Sequence, residues 1–253
     1  MTRLDVPALI AALNTDGAYV TDAQTMWPDH ERERTALAAE VYEFSRCDLI
    51  DTARLAIRLH CELPGYQKPH MLKRPRRRHV ASDPLIYLGR RLTHLAVGYF
   101  GEDAVLFRAD IHVTLPMHPS AGRVLSQRWH RDSESPVFFK VLWFVSDLTP
   151  ANGPFEYVIG TSRNRRLDLC PQQAYPEAIV GMGTRIMGPG VTAVPTPDEI
   201  RTVTGPANTV VVADTSGVHR GGYARTDMRL HVMWTFVPAS SGIASVIDIA
   251  PEG

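Results

Sequence analysis

The chain has few cysteines and no excess of charge of either sign. It contains three cysteines in 253 residues, and its acidic and basic residues balance to a formal net charge of zero. An odd number of scattered cysteines suits a reducing compartment and offers no metal-binding spacing. A neutral chain has no overall field that would attract nucleic acid or an anionic membrane. We therefore expect neither as a partner.

Long apolar runs are also missing. No stretch approaches the length needed to span a bilayer, and Met1 to Val6 lacks the apolar core of a signal peptide. We expect a cytoplasmic protein that acts on a small molecule. The content of 44% hydrophobic and 21% charged residues is that of an ordinary globular chain. The oligomeric state is left open.

The spacing of apolar residues changes near residue 104. Before this point it follows the helical period, and after it every second residue is apolar. Helices are predicted over 6–13, 31–44, 51–59 and 83–99, and a short strand over 18–20. The last helix should end at Gly101. Strands are predicted over 105–115, 137–145, 155–159, 208–213 and 229–237.

These patterns predict one domain over residues 1–253, mainly β within an α+β plan. Residues 1–103 would form a mainly helical support, and residues 104–238 the core of an antiparallel double-stranded barrel. The less regular segment 163–204 is interpreted as an insertion between strands.

A candidate metal site begins at His130 and Asp132. In an extended chain, residues two apart point to the same side, so both side chains could hold one ion while Arg131 points away. His219, which follows a buried strand, is the best third ligand, and His112 is its main rival. Two histidines and one carboxylate leave coordination positions open for a chelating acid and dioxygen. A surface pair at His130 and Asp132 is the alternative.

An arginine follows the proposed third ligand at the start of a strand. The guanidinium of Arg229 suits the far carboxylate of 2-oxoglutarate, because its planar fork can donate two parallel hydrogen bonds.

Several ordered segments together resemble the phytanoyl-CoA dioxygenase-like family of oxygenases. They are Gln127 to Asp132, Phe139 to Asp147, Gly153 to Ser162 and Asn208 to Val237. The resemblance implies a jelly-roll (double-stranded β-helix, cupin-like) barrel, Fe(II), 2-oxoglutarate and dioxygen. It implies iron ligation by His130, Asp132 and His219, and a cosubstrate contact at Arg229.

The arginine departs from the family's spacing by one residue. The usual position falls on Leu230, and a shorter loop around Gly221 and Gly222 would restore the geometry; Arg225 is the alternative. Halogenating relatives lack the carboxylate, so Asp132 favours hydroxylation or a related oxidation, with release of succinate and CO2. A role in bacterial secondary metabolism is a further expectation.

Other polar residues carry two interpretations each. Gln127 is either a cosubstrate contact or a strand-end amide, and Lys140 either enters the pocket or points outward. A polar strand face either lines the substrate site or faces solvent; it comprises Arg108, Asp110, His112 and Thr114. The basic run Lys73 to Arg78 is either a solvated loop or a lid over the site.

Two rival functions remain at this stage. One is a cupin-like metal-dependent isomerase or hydrolase that does not use 2-oxoglutarate. The other is a binding module without catalysis, which would tolerate the loss of His130.

Overall fold

The computed structural model describes residues 3–59, 71–73, 80–117, 125–127, 129–132, 135–166, 195–247 and 249. The helices are α1 (Val6–Thr15), α2 (Ala23–Met26), α3 (Glu31–Phe44), α4 (Asp48–Leu59), α5 (Pro84–Arg90) and α6 (Thr93–Phe100). The strands are β1 (Ala18–Asp22), β2 (Met71–Lys73), β3 (Ala104–Thr114), β4 (Phe139–Phe144), β5 (Phe155–Val158), β6 (Ile200–Val203), β7 (Thr209–Ala213), β8 (His219–Gly221) and β9 (Arg229–Pro238).

The strands form two antiparallel sheets. The larger sheet has six strands in the order β1-β7-β4-β9-β3-β2, and the smaller has three in the order β6-β5-β8. The expected combination of helices and antiparallel sheet is confirmed. Within the described ranges the two sheets do not join into a closed barrel, so the double-stranded β-helix stays a prediction. No helix in these ranges is long and apolar enough to cross a membrane.

One face of the six-stranded sheet packs against the helices. Side chains on this face alternate along each strand, as the two-residue period requires. Strand β9 contributes Leu230, Val232, Trp234 and Phe236 to this core. The Trp27 ring lies between two others, with centroids 5.8 Å from Trp143 and 5.3 Å from Trp234. The opposite face of the same strands is therefore turned away from the helices.

The single helix predicted over 83–99 is wrong, because α5 ends at Arg90 and α6 begins at Thr93. The Leu88 carbonyl accepts a hydrogen bond from the Trp27 indole at 3.3 Å. The Leu92 amide, which would use that carbonyl in a continuous helix, donates to Gly89 instead. The predicted end at Gly101 is found, where φ is +77°.

The other predicted helices and strands are found within a few residues of their expected ends. Helix α2 and strands β2, β6 and β8, each only three or four residues long, were not predicted. Strand β6 pairs with β5, so the end of the expected insertion belongs to the smaller sheet. Most of that segment (167–194) and of the basic run (74–79) lies outside the described residues.

Candidate metal centre

The structure brings together the three side chains that the sequence singled out. Ligand atoms of His130, Asp132 and His219 all lie within 4.8 Å of one another. The Nε2 atom of His130 is 4.0 Å from Oδ1 of Asp132, and Nε2 of His219 is 3.8 Å from its Oδ2. A neutral pair of imidazoles with one carboxylate is a donor set that suits iron(II). The rival His112 does not belong to this cluster.

The two histidines are fixed to each other through the backbone. The amide of His130 donates to the His219 carbonyl and the amide of His219 donates to the His130 carbonyl, each at 2.9 Å. Their rings are 4.1 Å apart, centroid to centroid. The amide of Asp132 donates to the Thr215 carbonyl at 2.9 Å. The segment before β4 is thus bonded directly to the loop that leads into β8.

The orientation of the His219 ring leaves one nitrogen for a metal. Its Nδ1 atom lies 3.0 Å from the Gly217 carbonyl oxygen. A carbonyl only accepts, so Nδ1 carries the proton and Nε2 holds the lone pair that faces Asp132. Burial, together with the neighbouring His130, lowers the pKa of His219 to about 3. The ring is therefore neutral near pH 7, the form that binds metals.

Lys140 is the unexpected neighbour of the triad. Its Nζ donates to Oδ2 of Asp132 at 2.5 Å, and the two side chains are 14% and 15% exposed. Burial alone would raise the pKa of Asp132, but the charge of Lys140 and the two nearby imidazoles hold it far below the usual range. Of the two interpretations of Lys140, the structure supports the pocket, since its side chain meets an anionic partner there.

A buried carboxylate organises the loop before His219. The Asp214 side chain accepts hydrogen bonds from the Tyr99 hydroxyl at 2.7 Å and from three backbone amides, those of Phe138, Arg163 and Ser216. These donors come from a helix, the start of β4 and two loops. The sequence did not single out Asp214, because its partners are far apart in the chain; its place directly after a fully apolar strand was the available signal.

The residue between the two first ligands is also anchored. Arg131 points away from Asp132, as expected, but it is only 3% exposed. Its Nη1 donates to the carbonyls of Thr161 and Ser216, and its Nη2 to those of Arg165 and Arg166, at 2.9 to 3.1 Å. The guanidinium therefore holds two loops against the segment that carries His130 and Asp132.

Arg229 is a buried cation with few hydrogen-bond partners. It is 6% exposed, and its Nη atoms donate to the Gly222 carbonyl and the Thr114 hydroxyl, both at a long 3.3 Å. Within the described ranges, its Nε atom has no hydrogen-bond partner. No carboxylate of the described residues forms an ion pair with it, and burial lowers its pKa to about 10. A buried charge in this state calls for an anionic ligand.

The one-residue departure in spacing is compatible with this geometry. Leu230 lies in the core beside the helices, whereas Arg229 occupies the opposite face of β9. Its Nη2 is packed so close to Gly221 that a Cβ atom there would lie 3.0 Å from it. Gly221 is two residues after His219 on β8. Arg225 is exposed, so the geometry favours Arg229 over this alternative.

The polar face of β3 is turned inward. His112 and Thr114 are 3% and 1% exposed, which excludes the solvent-facing interpretation for them. The ring of His112 lies 4.7 Å from that of His231 on β9, and its Nε2 is 3.8 Å from Asp110. Arg108 is partly buried on the same face. A contact of these residues with substrate stays a prediction.

Gln127 does not lie on an extended strand. It ends a single 3-10 turn over Leu125–Gln127 and is 2% exposed. It is therefore not a strand-end amide. Trp129 packs against Val158 and Val218, as expected for a packing residue, and the Arg220 guanidinium lies 4.1 Å above its ring.

Comparison with known proteins identifies the fold but not a family. No family model matches the chain, and no curated protein matches it. Among solved structures, it resembles SnoN, the non-heme alpha ketoglutarate dependent epimerase from nogalamycin biosynthesis. The identity is 17% and the TM-score 0.53, over 92% of this chain and 81% of that one.

Two further structures are similar. EctD from S. alaskensis with bound Fe is 17% identical with a TM-score of 0.54, over 92% of this chain and 76% of that one. HygX from Streptomyces hygroscopicus, with nickel and 2-oxoglutarate bound, is 15% identical with a TM-score of 0.54, over 91% and 86%. The chain thus has the fold of non-heme 2-oxoglutarate-dependent enzymes. Membership of the phytanoyl-CoA dioxygenase-like family stays a prediction.

Proposed function

We propose that this protein is an Fe(II)- and 2-oxoglutarate-dependent dioxygenase. It would oxidise a small organic molecule, by hydroxylation in the simplest case, and release succinate and CO2. The observation that carries the proposal is the combination of two features on the inner side of the sheets. Two histidines and a carboxylate converge there, and a buried arginine, which has no anionic partner among the described residues, lies beside Gly221, two residues after His219.

His130, Asp132 and His219 would hold iron(II), and Arg229 would bind the distal carboxylate of 2-oxoglutarate. Iron with 2-oxoglutarate and dioxygen supplies an oxidant able to attack an unactivated C–H bond. Gln127, which is buried near β8, is our candidate for a further cosubstrate contact. Arg108, Asp110 and His112 are the candidates for substrate contacts, because they lie on the inward face of β3.

The residues around the triad would keep its geometry fixed. Gly217 sets the proton on Nδ1 of His219 and leaves Nε2 for the metal. Lys140 holds one oxygen of Asp132, which leaves the other oxygen as the simplest single ligand atom. Packed apolar residues, including Phe144 and Phe155, line the inner sheet faces and exclude water. Such exclusion protects a reactive centre from side reactions.

Similar structures include an epimerase and a carbocyclase from nogalamycin biosynthesis, and a complex of EctD with 5-hydroxyectoine. They support an enzyme of this class, and a place in bacterial secondary metabolism forms part of the proposal. Hydroxylation is proposed because the carboxylate ligand Asp132 is present.

The direct test is anaerobic addition of Fe(II) and 2-oxoglutarate to the metal-free protein. We expect a weak visible charge-transfer band, which requires the metal and the cosubstrate on one centre. Asp132→Ala should abolish the band. Asp110→Ala, which removes another carboxylate from the same cavity, should keep it. Absence of the band in the wild type would contradict the proposal.

The same measurement separates the rival functions. An isomerase or hydrolase on this fold would bind the metal without producing the band, and would retain its activity in Arg229→Met. A binding module would show no dependence on metal at all. Aerobic formation of succinate from 2-oxoglutarate, followed by mass spectrometry, provides a second readout for the oxygenase.

A further inference from the structure

A row of three polar side chains crosses the inward face of the larger sheet. Arg108 on β3 and Lys140 on β4 are both in register with Thr235 on β9, which lies between them. Side chains directly opposite each other in antiparallel strands project to the same side. The neighbours of Thr235 in sequence, Trp234 and Phe236, belong to the core beside the helices. The row therefore lies on the sheet face that is turned away from the helices, which is called the cavity face below.

Several hydrogen-bond donors of this row have no acceptor among the described residues. The hydroxyl of Thr235, a residue only 2% exposed, has no hydrogen-bond partner among the residues that the structure describes. Across the described part of the chain, Arg108 makes no hydrogen bond or ion pair, and its guanidinium lies 4.6 Å above the ring of Phe107. Lys140 gives one hydrogen bond, to Asp132, although an ammonium has three donors. Two cations and a hydroxyl thus lie in one row across three neighbouring strands.

A cluster of buried apolar side chains lies next to the row. Phe107, Phe138 and Val237 form a buried cluster at the adjoining end of the sheet, and the Lys140 ammonium is 5.6 Å from the Phe138 ring centroid. Cations held over apolar surface are less hydrated than in water, so an anion between them would be bound more strongly.

This row is remote from the arginine assigned to 2-oxoglutarate. Thr235 and Arg229 lie six residues apart on β9, which separates their Cα atoms by about 20 Å in a strand. A five-carbon diacid anchored at Arg229 is far too short to use both positions and the metal. Lys140 contacts Asp132, so the row adjoins the triad at Asp132, whereas Arg229 packs beside Gly221, two residues after His219. The two cationic positions therefore serve two different anions.

We propose that Arg108, Thr235 and Lys140 form the subsite for an acidic group of the substrate, a carboxylate or a phosphate. Arg108 and Lys140 supply the charge and Thr235 a directed hydrogen bond. The assignment of this anion to the substrate rests on the proposed function, in which Arg229 binds the cosubstrate. It implies that the substrate is a small organic acid or phosphate ester, with the position to be oxidised between its acidic group and the cosubstrate.

The test measures binding of matched probes to the metal-free full-length protein by ligand-observed NMR. The probes are benzoate, phenyl phosphate and the neutral benzamide. We expect the two anions to bind and benzamide to bind at least tenfold more weakly. Arg108→Met should weaken the anions roughly tenfold, as expected for loss of charge-assisted hydrogen bonds, and Thr235→Val a few-fold. Arg90→Met, which removes an exposed arginine from α5, should have no effect.

A second set of titrations separates the two anion positions. Arg229→Met should weaken binding of 2-oxoglutarate to the metal-loaded protein roughly 100-fold and leave benzoate binding unchanged. Arg108→Met should weaken benzoate binding roughly tenfold and leave 2-oxoglutarate binding unchanged. A preference for phenyl phosphate would identify a phosphorylated substrate, and a preference for benzoate a carboxylic acid. Thr235→Val is nearly isosteric, so it tests the subsite even if Arg108→Met does not fold.

Three results would overturn the inference. They are equal affinity for benzamide and benzoate, equal behaviour of Arg108→Met and Arg90→Met, and equal loss of 2-oxoglutarate binding in Arg108→Met and Arg229→Met. Failure of the wild type to bind 2-oxoglutarate, with benzoate binding still dependent on Arg108, would instead refute the proposed function and leave an acid-binding site.

Discussion

The two faces of the six-stranded sheet are built from the same strands and differ in how their polar groups are satisfied. On the helix side, the indole nitrogens of Trp27, Trp143 and Trp234 donate to Leu88, Asn208 and Leu85 at 2.8 to 3.3 Å. On the opposite face, the Nε atom of Arg229 and the hydroxyl of Thr235 have no hydrogen-bond partner in the described part of the chain, although both residues are buried. Alternation along β9 alone separates a stabilising surface from a binding surface.

This contrast indicates that the face with incompletely paired polar groups is the one that binds ligands. A buried polar group without a partner costs free energy, and that cost is concentrated on one face. The helix face supplies apolar burial and fully paired indoles. We expect substitutions on the helix face to act mainly on stability and those on the cavity face mainly on binding.

The largest effect is expected for Trp234→Ala. It removes a fully buried indole from the helix face, together with its hydrogen bond to Leu85. Loss of a buried aromatic side chain costs about 3–5 kcal/mol of unfolding free energy, measurable by chemical denaturation. Met233→Ala, one residue away on the cavity face, should cost only about 1–2 kcal/mol. Equal losses of unfolding free energy in the two variants would contradict the different roles of the two faces.

A smaller loss of stability is expected for Arg131→Met. The change leaves four backbone carbonyls without their donor, and we expect a cost of about 2–3 kcal/mol. Because the loops that carry the triad are no longer fixed, metal affinity should fall roughly 10- to 100-fold. The control is Arg166→Met, which removes a half-exposed ion pair with Glu199 and should change stability far less, because solvent screens such a pair. Calorimetric titration with Co(II) measures the affinity.

Arg229→Met should change the stability in the opposite direction. Replacing a buried cation that has no anionic partner by an apolar side chain should raise the unfolding free energy by about 1 kcal/mol. Affinity for 2-oxoglutarate should fall roughly 100-fold, because a charge-assisted pair is lost. Arg225→Met is the matched control and should alter neither quantity. A destabilised Arg229→Met protein would show that the arginine is a structural residue.

The smallest effect is expected for Gly221→Ala. The added Cβ would lie 3.0 Å from Nη2 of Arg229, so the flexible guanidinium must shift slightly. We expect a change in stability below about 0.5 kcal/mol and a several-fold loss of 2-oxoglutarate affinity, measured on the metal-loaded protein. Unchanged affinity would place the cosubstrate away from this strand.

Much of the site could be predicted because its signals are local. His130 and Asp132 are two residues apart, and His219 follows strand β7, which consists of one threonine, three valines and one alanine. Period and spacing therefore indicated all three as candidates. Arg229 was predicted as the cosubstrate residue although the usual spacing in the family falls one residue later, on Leu230. Its burial beside Gly221 depends on the register between β9 and β3, which no single segment contains.

The parts that were missed depend on distant partners. Asp214 accepts hydrogen bonds from residues 99, 138, 163 and 216, and its position directly after the buried strand β7 is the one local signal of this role. The break between α5 and α6 follows from an indole of Trp27, about 60 residues earlier, that competes for a helix carbonyl. The row of Arg108, Thr235 and Lys140 appears only once three strands are aligned.

The paired backbone bonds between His130 and His219 have a consequence for metal loading. His130 precedes β4 of the larger sheet and His219 begins β8 of the smaller sheet. An ion bound by both histidines would therefore link the two sheets. Removal of the metal by a chelator should therefore weaken the contact between the two sheets before it affects the side that packs against the helices.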